Sequence, residues 1–171
     1  MKFKFFGLVV AAAFLFSCGS TRTSSSASEA YTVPDNIRTG FVTQYPTATN
    51  AIWSSYDPIG SPVDWELNGW APLTASDYVV RYNMEGESYY SWYGANGDWV
   101  GSAYGVTNVT TLPEVIRTSI TNQFSGYTIY SAQKEMWKDK MAYEVKIKNG
   151  DMKKKILLDS SGNILKQKDK D

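Results

Sequence analysis

The chain has 171 residues, 17 basic and 17 acidic, with no histidine and one cysteine. Hydrophobic residues make up 43% and aromatics 15%, a globular composition with an aromatic surplus. The lack of histidine removes the usual general base, the usual zinc ligand and every Ser-His or Cys-His nucleophile. There is also no Gly-rich phosphate loop, no dinucleotide fingerprint and no basic patch of the kind that binds nucleic acid.

The N-terminus reads as an address. Lys2 and Lys4 precede an apolar run of 12 residues, Phe5–Phe16. That run is too short to span a hydrocarbon core of about 30 Å. Leu15-Phe16-Ser17-Cys18-Gly19 resembles the lipobox of bacterial lipoproteins, which implies cleavage before Cys18 and lipidation of it. Residues 1–17 are then a signal peptide, and the lone thiol is committed, so no disulfide staples the mature chain. Acyl chains hold a protein on a membrane without crossing it. Residues 18–31, rich in Ser and Thr, read as a tether. No acidic run follows Cys18, so the expected position is the outer membrane, facing the periplasm. Without Lys2 and Lys4 the balance is 15 basic against 17 acidic residues. Lys153-Lys154-Lys155 reads as a solvated strand face.

Thr32-Val33-Pro34-Asp35 opens a first helix, in which Ile37, Phe41 and Tyr45 recur every four residues on one face. Pro46 ends it by disfavouring helix at Tyr45. Tyr56–Ala75, rich in Pro and Gly and carrying Trp65 and Trp70, interrupts the regular pattern. Tyr78, Val80 and Tyr82 then alternate as a strand. Matching Gly86 to Gly150 points Trp92 inward and leaves Tyr89 and Tyr93 outward, beside Arg81. The loop from Tyr82 to Ser88 is longer than its counterpart, and a one-residue slip there would invert that orientation. Asn96-Gly97 turns the chain into Trp99-Val100, and residues 105–111 form a link.

Thr111-Leu112-Pro113-Glu114 opens a second helix, with Thr111 as cap and Glu114 as the carboxylate of a capping box. Ile116, Ile120 and Phe124 mark its face, and Ser125-Gly126 ends it. Tyr127–Ala132 supplies a strand, and Lys140–Lys148 alternates as another. Asn149-Gly150 signals a two-residue hairpin turn. That turn would pair Ile147 with Met152, Tyr143 with Ile156, Met141 with Leu158 and Glu144 with Lys155, leaving Lys154 on the apolar face. Asp159–Asn163 is a turn into Ile164-Leu165. Ile37-Arg38-Thr39 recurs as Ile116-Arg117-Thr118, 79 positions on, while Tyr78, Val80 and Tyr82 match Tyr143, Val145 and Ile147 at an offset of 65. The difference locates about 14 extra residues within 56–75. The expected fold is α+β: two tandem helix-plus-antiparallel-sheet modules, 32–104 and 112–171, in one continuous or adjoining sheet with the helices on one face.

This recurring order of Pro, helix, terminal Tyr or Phe, Tyr-x-Val, turn Gly, then Trp-Val or Ile-Leu covers about Val33–Leu165. It resembles the PepSY-like, beta-lactamase-inhibitor-protein-like family of bacterial exported proteins. The resemblance implies a helical layer on an antiparallel sheet. It also implies a non-catalytic, inhibitor-like module that grips a protein through an aromatic-rich open sheet face. The inhibitor protein itself carries disulfides, which this chain cannot form, and 56–75 has no counterpart in the pattern.

Six tryptophans and twelve tyrosines exceed what a core of this size needs. Aromatic and Arg enrichment marks interface hot spots. Arg81, Tyr89, Tyr93, Trp65 and Trp70 are therefore the candidate contacts for a protein or peptide of the cell envelope. The same aromatics suit sugar stacking, so a glycan stays open as ligand. The competing readings are a glycan-cleaving enzyme using the loop carboxylates Asp57, Asp64 and Glu66, or a purely structural lipoprotein. No catalytic residue, metal or cofactor is expected: Asp159–Asn163 lacks the further acidic ligands of a calcium loop.

Overall fold

Eight strands form one antiparallel sheet, ordered β1 to β8 as they occur in the chain. The computed structural model describes residues 31–170, so the signal peptide, Cys18 and the tether apart from Tyr31 lie outside the described residues. The strands are β1 (Thr49–Ser55), β2 (Tyr78–Met84), β3 (Glu87–Tyr93), β4 (Trp99–Gly105), β5 (Thr128–Trp137), β6 (Lys140–Asn149), β7 (Met152–Asp159) and β8 (Ile164–Lys170). Helix α1 (Asp35–Gln44) precedes β1, the single turn α2 (Trp65–Asn68) falls between β1 and β2, and α3 (Glu114–Gln123) precedes β5. No helix among the described residues is long and apolar enough to cross a membrane.

The two long helices begin alike. Pro34 and Pro113 occupy the N-cap, and Asp35 and Glu114 place negative charge in the first turn, where the helix dipole favours it. No side chain caps either helix. Thr111, expected as the cap of α3, instead closes a 3₁₀ turn, its hydroxyl donating to Asn108 O at 2.7 Å. An arginine braces each entry: Arg38 Nε donates to Val33 O at 3.2 Å and Arg117 Nε to Leu112 O at 3.1 Å. Each helix closes on an aromatic, with Tyr45 N donating to Phe41 O at 2.8 Å and Phe124 N to Ile120 O at 2.9 Å.

Both helices lie on the same sheet face, each packed through the apolar side that its four-residue spacing creates. Val33, Ile37 and Phe41 pack on Val80, Tyr82, Tyr89 and Tyr93. Leu112, Ile116 and Ile120 pack on Val145, Ile147, Ile156 and Leu158. The irregularities of the ladder recur at the offsets of 79 and 65 found in the sequence. Bulges lie at Thr49/Ile52 and Ile129/Ser131, and at Trp92/Tyr93 and Leu157/Leu158.

Two register expectations are corrected. Between β6 and β7 the turn is Gly150-Asp151, not Asn149-Gly150, so Asn149 faces Met152, Ile147 faces Lys154, Val145 faces Ile156 and Tyr143 faces Leu158. Positive φ falls on Gly150 alone among the turn residues (56°), the first central position, where a type II′ turn needs it. Glu144 consequently faces Leu157 rather than Lys155. The shift is two residues, so no side chain changes face, and Lys154 does stand on the helix side, paired with Asp169.

The second correction does change faces. Between β2 and β3 the turn is Glu85-Gly86, with φ of 53° and 82°. Its counterpart in the second half is Gly150-Asp151, so Glu85, not Gly86, stands where Gly150 does. Tyr89 and Tyr93 therefore point to the helices and are buried, and Trp92 lies on the opposite face. The one-residue difference inverts the orientation expected for all three.

Candidate functional site: the strap face of the sheet

Residues 56–75 cross the sheet face opposite α1 and α3, forming a strap. Its local structure follows from its polar residues. Asp64 caps α2 by accepting from Leu67 N at 3.0 Å, and Gly69 ends the turn at a φ of 68°. Asn68 Oδ1 accepts from Trp70 N at 3.0 Å, and Trp65 Nε1 donates to Ala71 O at 2.9 Å.

The strap tryptophans complete a third core cluster instead of standing free as recognition residues. Trp70 is 7% exposed and Trp65 half-buried. Trp65, Trp70 and Trp92 meet edge to face, with ring centres 5.2–5.6 Å apart, and Tyr56, Val63 and Ala103 fill in around them. The Trp70 ring lies on the bare backbone of Gly101: a Cβ there would fall 2.7 Å from it. Of the expected contacts, Arg81 alone is exposed on this face; Tyr89 and Tyr93 are in the helix-side core.

The far end of the strap is pinned by charge. Asp64 meets Lys155 at 2.6 Å and Lys168 at 2.7 Å. Burial pushes its pKa up, but the hydrogen bonds from both lysines and from the Leu67 amide outweigh that and hold it at about 2. Gln133 Nε2 donates to Pro62 O at 2.5 Å, and Asp64 N to Glu144 Oε2 at 2.9 Å. Glu66 meets Lys168 at 3.2 Å at the surface, and Asp57 accepts from Ile59 N at 2.9 Å. Each of the three loop carboxylates thus has a local partner.

Under the strap the sequence hides two acids. Glu144 is fully buried and Glu135 is 2% exposed. Glu144 has the Asp64 amide and, at 3.5 Å, the Lys146 ammonium. Neither carboxylate oxygen of Glu135 has a hydrogen-bond partner. Burial first, then the neighbouring Glu144, push the pKa of Glu135 up to about 8. Sequence alternation gave Glu144 to solvent and did not single out Glu135. The available signal was the offset: their counterparts by register are Val79 and Tyr56, which lie in the apolar cluster of the first half.

One cross-strand row runs over this face: Ile52, Arg81, Tyr90, Ala103, Glu135, Ala142 and Asp159 are successive register partners. The strap covers its middle. On one side a hollow of about 480 Å³ is bounded by Pro62, Tyr90, Gly105, Ser131 and Gln133. On the other a hollow of about 550 Å³ is bounded by Leu67, Trp70, Glu135, Trp137 and Leu157. Among the described residues no three or more His, Cys, Asp or Glu side chains cluster as metal ligands.

A family profile described as "Putative beta-lactamase-inhibitor-like, PepSY-like" matches residues 76–166. No curated protein matches the chain. Solved structures share the fold at low identity. A DUF2874 family protein from Bacteroides ovatus is 16% identical with a TM-score of 0.64, covering 81% of this chain and 88% of its own. A BLIP-like protein from Bacteroides fragilis is 17% identical with a TM-score of 0.64, covering 81% and 89%. A protein from Bacteroides eggerthii, described as "putative periplasmic", is 18% identical with a TM-score of 0.61, covering 81% and 89%.

Proposed function

The chain belongs to the beta-lactamase-inhibitor-like, PepSY-like family, and from that footing we propose that it is a non-catalytic binding module engaging a protein partner in the cell envelope. The observation that carries this reading is the uncovered end of the strap face. Ile52 is 56% exposed, with Arg81 directly opposite it and Tyr90 next in the row, and Ile59 at the strap tip is 95% exposed. Ile52, an apolar side chain held in water beside an arginine and a tyrosine, has the make-up of an interface centre, and Ile59 adds a second exposed apolar side chain on the strap. They replace Tyr89, Tyr93, Trp65 and Trp70 as the contact set.

Two further parts of the reading rest on other grounds. The recurring bulges, helix entries and turns support two tandem copies of one unit, 32–104 and 112–171, the first carrying the strap as an insertion. The lipobox-like Cys18 and the periplasmic description of a structural relative support export and a lipid anchor on the outer membrane. Cys18→Ala should abolish labelling by a fatty-acid analogue; undiminished label refutes the anchor.

The partner reading is tested by capture from envelope extract with the full chain in detergent. Ile52→Asp, Ile59→Asp and Arg81→Glu should each weaken retention of the captured protein at least tenfold and leave the melting temperature unchanged. Retention indifferent to all three refutes this surface.

A further inference from the structure

We propose that the hollow ending on Glu135 is a binding site for a cationic group on an aliphatic stem, the ammonium or guanidinium that a lysine or arginine side chain presents. This deepens the reading above and rests on it only for the source of that group.

The site is built from both ends. Its floor is a carboxylate that is 2% exposed and has no hydrogen-bond partner on either oxygen. A buried carboxylate is retained charged only against a cation or several donors. Most of the protein's own cations nearby are held elsewhere, and Lys140, which lines the same hollow, sits over the Trp137 ring. Lys146 serves Glu144, and Lys155 and Lys168 serve Asp64. Lys166 donates to Glu66 O at 3.4 Å. Without a cation the group stays neutral, its pKa lifted to about 8 by burial and by Glu144. The Asn68 amide, itself left without a partner, and the Glu144 carboxyl lie close enough to act on it as hydrogen-bonding groups, and Asp64 acts on it through its charge.

The walls suit the stem. Both register partners of Glu135 are alanines, Ala103 and Ala142, which leave the carboxylate without bulky neighbours along its row. Leu67, Trp70, Trp137 and Leu157 line the approach, and the volume of about 550 Å³ lies within the usual range for ligand sites. The Trp137 ring already attracts cations at the rim, with Lys138 at 4.9 Å and Lys140 at 5.4 Å from its centre. An aromatic wall leading to a buried acid admits an alkyl ammonium and disfavours an anion or an uncharged alkyl chain.

The test uses the full chain in detergent, with N-acetyl-lysine methylamide, N-acetyl-arginine methylamide and the uncharged N-acetyl-norleucine methylamide as probes. The charged probes should shift the Trp70 and Trp137 indole resonances saturably and bind at least tenfold more tightly than the norleucine probe. Glu135→Gln should bring all three to the same weak level. Equal binding of the norleucine probe, no saturable shift, or charged binding that survives Glu135→Gln overturns the proposal. Should that variant fail to fold, the ¹³Cδ resonance of Glu135 in the unaltered chain decides. It should move with the charged probes alone, and a resonance that stays still refutes the site. Lysine within a short peptide binding more tightly than the free probe assigns the hollow to a partner's side chain; equal affinity assigns it to a small amine. A captured envelope protein lost in Arg81→Glu, together with charged probes that ignore Glu135→Gln, would sink this inference and leave the binding-module reading standing.

Discussion

The helix-side cores of the two halves solve one packing problem with different chemistry. In the second half the layer under α3 is mainly aliphatic, with Ile116, Ile120, Val145, Ile147, Ile156 and Leu158 and one buried aromatic, Tyr143. In the first, the corresponding strand and helix positions hold Phe41, Tyr82, Ser91 and Tyr93, with Trp53 where the second half has Ala132. The tyrosines explain the serine. Tyr82 OH lies 3.1 Å from Ser91 Oγ, Ser91 lies 2.5 Å from Ser102, and Ser102 also meets Tyr45 OH at 2.6 Å and Trp99 Nε1 at 2.9 Å. A buried hydroxyl needs a partner, so Ser91 stands where Ile156 stands in the other half. On the strap face the contrast reverses: Tyr56 and Val79 are apolar, while Glu135 and Glu144 are acidic. Among the buried strand positions, the serine hydroxyls lie on the helix face of the first half and the acids on the strap face of the second.

The strap offers the sharpest way to break this contrast. Trp70→Ala should cost about 3–5 kcal/mol in urea unfolding, the range for a buried aromatic, because the ring has Gly101 beneath it and Trp65 and Trp92 at its edges. A loss under about 1 kcal/mol would return Trp70 to the free recognition loop expected from the sequence.

The helix faces test whether the halves are equivalent despite their chemistry. Ile37→Ala and Ile116→Ala, at 1% and 0% exposure, should each cost about 2–5 kcal/mol. Similar values support one pattern packed twice. A large cost at Ile116 alone would mean that the aromatic half closes over the gap.

The acidic face gives a pH signature that the apolar one lacks. Glu135 has a folded pKa of about 8 against an ordinary value of 4.5. Between those values the folded protein holds a proton that the unfolded chain has released. The contribution of this group to stability should therefore be full below about pH 4.5, fall as pH rises to about 8, and level off above. Each unit is worth about 1.4 kcal/mol, so the fall should amount to a few kcal/mol at most. Glu135→Gln should flatten that window in denaturant titrations, and a slope unchanged by it would place the proton elsewhere.

The smallest effect lies in the hydroxyl chain. Tyr82→Phe should cost about 1 kcal/mol, since Ser91 keeps Ser102 as partner. Its counterpart, Ile147, has no such group to lose.

The helix faces, the strand alternation and the offsets of 79 and 65 were legible because they are short-range periodicities. The turns were less so. Asn149-Gly150-Asp151 suits a turn at either pair of central residues, and only the assembled ladder chooses. By residue type Gly86 matches Gly150, yet it is Glu85 that stands at the equivalent position, with a φ of 53°. The burial of Glu135 and Glu144 is not legible in the sequence because it depends on the strap, residues 56–75, which lies at least 60 positions earlier in the chain. The tryptophans of the strap were visible; the glycine that seats Trp70 was one glycine among thirteen.

The strap also sets an order of events. Every pair of neighbouring strands is consecutive in the chain, so the sheet can zip together hairpin by hairpin with little loop-closure cost. The bonds from Asp64 to Lys155 and from Glu66 to Lys168 close 91 and 102 residues. Such closure is favourable only once both halves of the ladder exist. The strap should therefore dock after the rate-limiting barrier to folding and be the first part to lift on unfolding. Weakening it at Asp64 would quicken unfolding and leave the folding rate nearly untouched, making the strap a brake on unfolding rather than a nucleus for folding.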